Sequence, residues 1–172
     1  MNTVLRRMGS WMVAVGLTVG IVAAVPAPAD AKLWKVPAVN EDVKPSVDLG
    51  EYENRMINRI NVIRANKGKR QLRYYQSCAD GMSERWSKHL KAIDSLVHRD
   101  QYYVLEECNF TWTGEVLVSG TSLTPYQAVR AWMHSPGHRA VIMKNRATRA
   151  GAGVRVNEAG TVFAVLNFGD HD

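Results

Sequence analysis

Two histidines, His134 and His138, stand four residues apart in the stretch WMHSPGHRAVIM. On an unbroken helix that spacing puts both imidazoles on one face and offers a metal two ligands. Pro136 forbids it. Proline removes a backbone donor and clashes with the preceding turn, so one straight helix cannot carry both rings. Ser135-Pro136 instead sets a capping hydroxyl ahead of a proline at the first helical position, which predicts a second helix running through HRAVIMKN. His138 is then the third residue of that helix, facing a cleft rather than the core. The helix start lends it partial positive charge, which disfavours imidazolium and keeps the ring in the neutral form that ligates or takes a proton. His134 and Ser135 are the candidates for ligand contacts at the rim, with helix-end packing the competing reading of His134. Of the other histidines, His89 reads as a partly exposed helix-surface residue and His171 as part of a solvated tail.

Several chemistries are missing from the chain. It shows no Ser-His-Asp arrangement, no nucleophilic cysteine and no phosphate-cradling loop. Cys78 and Cys108 are its only cysteines, and without a CxxC pair they read as a structural disulfide rather than a redox or metal site. Closing that loop stabilises the fold by roughly 3–4 kcal/mol on the chain-entropy estimate.

The disulfide presumes an oxidising compartment, and the N-terminus supplies the route. Arg6 and Arg7 precede an apolar stretch from Trp11 to Val25, and Ala29-Asp30-Ala31 offers the small residues of a signal-peptidase site. Pro26 and Pro28 shorten the usable helix below the roughly 20 apolar residues a membrane span needs. Residues 1–31 are therefore expected to be a signal peptide of the general secretion route, cleaved before Lys32, with no span in the mature form. Cleavage removes two arginines and one aspartate from a chain of net charge +6, leaving +5. Basic residues are scattered among acids, with no dense run and no aromatic ladder. That speaks against nucleic acid and for attraction to an anionic cell envelope. About 140 mature residues suffice for one domain with a real core, expected to act as a monomer.

The elements that must position the chemistry follow from periodicity. Residues 32–50 mix prolines, charges and isolated apolars without a period and read as an extended or disordered leader. From Glu51, Met56, Ile57, Ile60 and Ile63 recur at helical spacing, with Gly68 at the stop. A second helix begins at Ser77, with Ala79, Met82, Trp86 and Leu90 on one face and a Glu84–Lys88 pair on the other. Residues 94–113 lose the period and read as one long connection, of the kind that carries function. Residues 114–118 read as a short strand. Thr124-Pro125-Tyr126-Gln127 is a capping box with proline at the first helical position, opening a helix through Trp132. Residues 151–156 and 161–168, joined by the turn 157–160, predict an antiparallel hairpin.

The order of these pieces resembles a secreted bacterial member of the CAP superfamily, the SCP domains. INRINVIRANKG, the tryptophan-bearing second helix, VHRD, GEV, TPYQAVRAWMHSPGHRAVIM, RAGAGVRV and TVFAVLNFGD carry the resemblance, which covers residues 51–170. It implies a three-layer α-β-α sandwich with a small antiparallel-rich sheet between helices and a cleft lined by histidines and acids. His98 matches the first family histidine, Glu115 the glutamate of the GEN-like motif, and His138 the second histidine. Ser135 stands where many eukaryotic members carry a further glutamate, and Val116 where the family often has asparagine. The resemblance therefore implies three ligands for Zn²⁺ or another divalent metal, His98, Glu115 and His138, rather than four. The competing reading is that both histidines simply hydrogen-bond Glu115 and hold the cleft together.

Two functions follow. The first is a non-catalytic exported module whose cleft binds an envelope-associated ligand or partner. The second is an extracellular hydrolase acting on cell-wall material, with Glu115 and His98 or His138 as general acid and base.

Overall fold

A computed structural model describes residues 47–74 and 76–170. The expected signal peptide, most of the leader and His171 lie outside the described residues. The element order is α1 (Leu49–Asn66), β1 (Arg73–Tyr74), α2 (Ser77–Ile93), α3 (Gln101–Glu107), β2 (Thr113–Thr121), α4 (Pro125–His134), α5 (Pro136–Ile142), β3 (Arg149–Val156) and β4 (Thr161–Gly169). The four strands lie in the order β1-β3-β4-β2. β4 pairs antiparallel with both β2 and β3, and β1 adds two parallel residues to the outer side of β3.

Strand alternation separates the layers. Val116, Leu166 and Phe168 point to the face covered by α1, α4 and α5, where they pack with Met56, Ile60 and Trp132. Leu117, Phe163 and Val165 point the other way, onto Leu90 of α2. α2 also meets α3 through Ala79, Met82 and Val104. The result is the expected α-β-α sandwich. α2 sits low on β3 because Gly151 and Gly153 have no side chains. A Cβ on Gly151 would fall 2.0 Å from the Asp80 nitrogen, and one on Gly153 would fall 2.3 Å from the Ser83 backbone.

The outer side of β3 beyond β1 would otherwise present free backbone donors. Two helices close it. Asp80 of α2 accepts from Ala152 N–H (3.1 Å) and Glu53 of α1 accepts from Val154 N–H (2.9 Å).

Local signals set several boundaries. Asp48 caps α1 by accepting from Glu51 N–H, so this helix begins at Leu49, two residues before Glu51 and inside the expected leader. Gly68 adopts φ 65° just past the end of α1, the left-handed conformation that glycine tolerates. The Thr124–Gln127 box is present in full, an arrangement that contributes about 1 kcal/mol. The Cys78–Cys108 disulfide forms and ties the start of α2 to the end of α3.

Other expectations are corrected. The connection 94–113 contains α3, a helix opened by Asp100, which accepts from Tyr102 N–H. It buries only Val104, too little to leave a period in the sequence. β2 extends to Thr121, because β4 pairs with it over nine residues. Ser135 is the N-cap residue of α5, yet its side chain makes no capping bond. α5 ends at Ile142 instead of running on to Asn145. Glu84 is ion-paired with Arg155 of β3 and not with Lys88, since α2 lies directly over that strand.

Among the described residues no helix is long and apolar enough to cross a membrane.

Candidate functional site

β2 is an edge strand, and the candidate residues gather on that edge. Glu115, its third residue, points to the α2 side and is buried there. The chain leaving α2 passes over it at His98, whose Nδ1–H donates to Glu115 Oε1 at 2.7 Å. Arg99 N–H donates to the same oxygen at 3.3 Å. In the neutral ring this leaves Nε2 of His98 as the acceptor. The pair is lopsided: 56% of the His98 side chain is exposed against 1% of that of Glu115.

His138 arrives from the opposite layer. α5 is held against the start of β2 because Gly114 has no side chain, and a Cβ there would lie 2.8 Å from Val141 and 3.1 Å from Trp112. This brings the His138 ring centroid to 6.3 Å from that of His98, with the rings tilted at 46°. The three residues therefore meet at one place on the surface. Burial and the neighbouring His98 hold His138 below its ordinary value. The direction is the expected one, with burial as its larger cause and His98 as the second. Burial pushes Glu115 up, opposed by its hydrogen bond to His98.

His134 and Ser135 stand apart from this cluster in their contacts. His134 is exposed, and its Nδ1–H donates back to the Arg130 carbonyl at 2.8 Å on its own helix. Ser135 is half-buried at the junction. His89 is exposed on α2 and stacks on Trp86 at 4.5 Å.

Arg99, Asn167 and its partner Ser83 have a part in the site and were missed in the sequence. The guanidinium of Arg99 lies 4.7 Å from the Trp86 ring and 5.8 Å from that of Tyr103, and donates to Met82. This pins the chain beside His98. Asn167 of β4 pairs across the sheet with Glu115, and its amide donates to Ser83 of α2. A period-two reading of TVFAVLNF puts Asn167 on the inward α2 face with Phe163 and Val165, and a polar residue there was the available signal.

The implied metal does not fit. Among the described residues no group of three or more His, Cys, Asp or Glu side chains could hold an ion. Glu115 Oε1 is committed to the His98 ring and to Arg99 N–H, and Oε2 is buried. The carboxylate thus stands behind His98 rather than beside it as a ligand. That leaves two imidazoles where zinc takes three or four protein ligands.

Comparison with solved structures supports the fold. An outer surface protein of Borrelia burgdorferi aligns with a TM-score of 0.65 at 17% identity, over 71% of this chain and 94% of that one. An extracellular protein containing an SCP domain from Bacillus anthracis aligns with a TM-score of 0.60 at 23% identity, over 72% of this chain. This chain spans only 41% of the Bacillus protein. NaASP2, solved with Zn²⁺, aligns with a TM-score of 0.53 at 12% identity, over 73% of this chain and 83% of its own. No curated protein matches the sequence. The CAP profile, described as the cysteine-rich secretory protein family, matches residues 57–168. With that match across most of the sandwich, the chain belongs to the CAP family.

Proposed function

We propose that the chain is an exported binding module, freed of residues 1–31 and acting as a monomer, whose His98 and His138 on the β2 edge hold a cell-envelope ligand or partner. The observation that carries this reading is the His98–Glu115 pair. An exposed imidazole is held at 2.7 Å by a carboxylate with almost no access to solvent. A buried acid does not meet a ligand itself, so its effect is to fix the ring that does. With Nδ1 occupied, His98 Nε2 and the His138 ring offer nitrogens to one ligand, and the mature charge of +5 favours an anionic envelope. That the Bacillus relative is described as extracellular is consistent with export.

Retention on isolated bacterial cell envelopes tests the reading. The His98→Ala/His138→Ala double variant, folded like the parent by circular dichroism, is expected to wash off under conditions that retain the parent. Equal retention of both proteins would remove the two histidines from the binding function.

The same pair favours a second reading, a hydrolase of cell-wall material. An imidazole oriented by a carboxylate, with Nε2 free, is the arrangement of a general base. His98 then takes the proton from water, and Glu115 orients it rather than transferring protons. Release of soluble wall fragments by the parent, lost in the double variant while envelope binding persists, would favour this reading over the first.

A further inference from the structure

Glu115 and Asn167 face each other across β2 and β4, so their side chains share the sheet face beneath α2. Asn167 is wholly buried and its amide is oriented. Nδ2 donates to Ser83 Oγ at 2.9 Å, and the Asn167 backbone N–H donates to the same oxygen at 3.2 Å. Ser83 directs its single proton at the carbonyl of Ala79 (2.9 Å) or Gly151 (3.0 Å) and so can only accept from Asn167. That fixes which end of the amide meets Ser83. It also leaves Oδ1 as an acceptor to be satisfied elsewhere.

Oδ1 of Asn167 and Oε2 of Glu115 are both buried, and neither has a hydrogen-bond partner among the described residues. Directly opposed residues of an antiparallel pair have Cβ atoms about 4.5–5.5 Å apart, so the two acceptors belong to neighbouring side chains. Buried acceptors are almost always satisfied, and an internal water typically bridges otherwise unpaired polar groups. Here one water could give a hydrogen to each oxygen. Glu115 Oε1 is already taken by His98 and Arg99, so the state of Oε2 decides whether the carboxylate can turn.

We propose that Asn167 is the positioning residue of the His98 site, and that one buried water between Asn167 Oδ1 and Glu115 Oε2 ties the carboxylate to the amide. Ser83 anchors Asn167 to α2, Asn167 holds Glu115, and Glu115 holds the exposed imidazole. The inference rests on the proposed function only in taking His98 as the group that meets the ligand.

The test is made on the whole chain without ligand. The downfield proton resonance of His98 Nδ1–H reports its bond to Glu115. Asn167→Leu keeps the volume and removes Oδ1, and is expected to shift that resonance upfield and speed its exchange with solvent. Val165→Ala removes packing from the same face of β4 and is expected to leave the resonance in place. An unmoved resonance in Asn167→Leu, or an equal change in Val165→Ala, would overturn the proposal. A crystal structure of the unaltered chain decides independently should Asn167→Leu fail to fold. Density for a water within hydrogen-bonding distance of both oxygens supports the tie, and direct contact between them excludes it. A resonance that moves while envelope retention stays unchanged supports the positioning role and counts against the proposed function instead.

Discussion

The rings of His98 and His138 lie 6.3 Å apart although they descend from opposite layers of the sandwich. His98 leaves the α2 side of the sheet, whereas His138 rides on α5, whose buried Ile142 packs with α1 and α4. The two layers meet here at β2, the last strand of the sheet. A site built across two layers depends on how each is anchored.

Glu115→Gln should keep the site and stabilise the fold. The amide oxygen can accept from His98 and Arg99 in place of Oε1, while its NH₂ can donate directly to Asn167 Oδ1 in place of the bridging water. Replacing the water-mediated link by a direct hydrogen bond frees an ordered water, a gain of about 1 kcal/mol. The urea midpoint should rise accordingly, and a fall would show that the charge of Glu115 is needed for stability.

His138 should titrate below the ordinary imidazole value of 6.5, because burial and the nearby His98 both disfavour its charged form. His98→Ala removes one of those causes and should bring the midpoint back toward 6.5. Proton NMR of the His138 ring across that range measures both. A native midpoint above 6.5 would contradict the burial found here.

Stability should decline as pH rises from about 4.5 to about 8. Burial, and then the Glu84 carboxyl beside it, pushes Glu53 up to about 8. A group raised in the folded state binds a proton there that the unfolded chain has already released. Its contribution is therefore complete below the unfolded value and lost as pH climbs through the folded one. The loss is on the order of a few kcal/mol. Urea midpoints at pH 5 and pH 8 should differ in the parent and converge in Glu53→Gln.

Arg64 is a wholly buried guanidinium that donates to four carbonyls: Arg70 at 2.8 Å, Lys144 at 3.1 Å, Ala147 at 2.7 Å, and Ile142. It clamps the end of α1 to the segment that follows α5. Arg64→Met strands four carbonyls and should cost about 3 kcal/mol or more. Arg64→Lys, with no planar fork, should cost less but remain destabilising. Chemical unfolding of both variants measures the order. A neutral Arg64→Met would mean that water replaces the clamp.

The candidate site was legible in its parts but not in its wiring. The family pattern led to His98, Glu115 and His138, and the structure brings the three together. It does not make them a ligand set, because the register of β2 on β4 turns Glu115 under α2. Arg99 was overlooked beside His98 because its two aromatic partners lie on α2 and α3.

What the sequence determined by itself is whatever a few neighbouring residues can fix. The Thr124–Gln127 box, the break at Pro136, the stop at Gly68 and the hairpin turn 157–160 are set by backbone sterics and hydrogen bonds within one turn. The tertiary structure decided which partner wins when several are available. Ser135 leaves its capping bond unmade, Glu84 takes Arg155 over Lys88, and Glu115 faces His98 rather than solvent. The reason is distance along the chain. Local preferences act over three or four residues, whereas these outcomes depend on sheet register and on glycines that let helices settle onto strands far away in sequence.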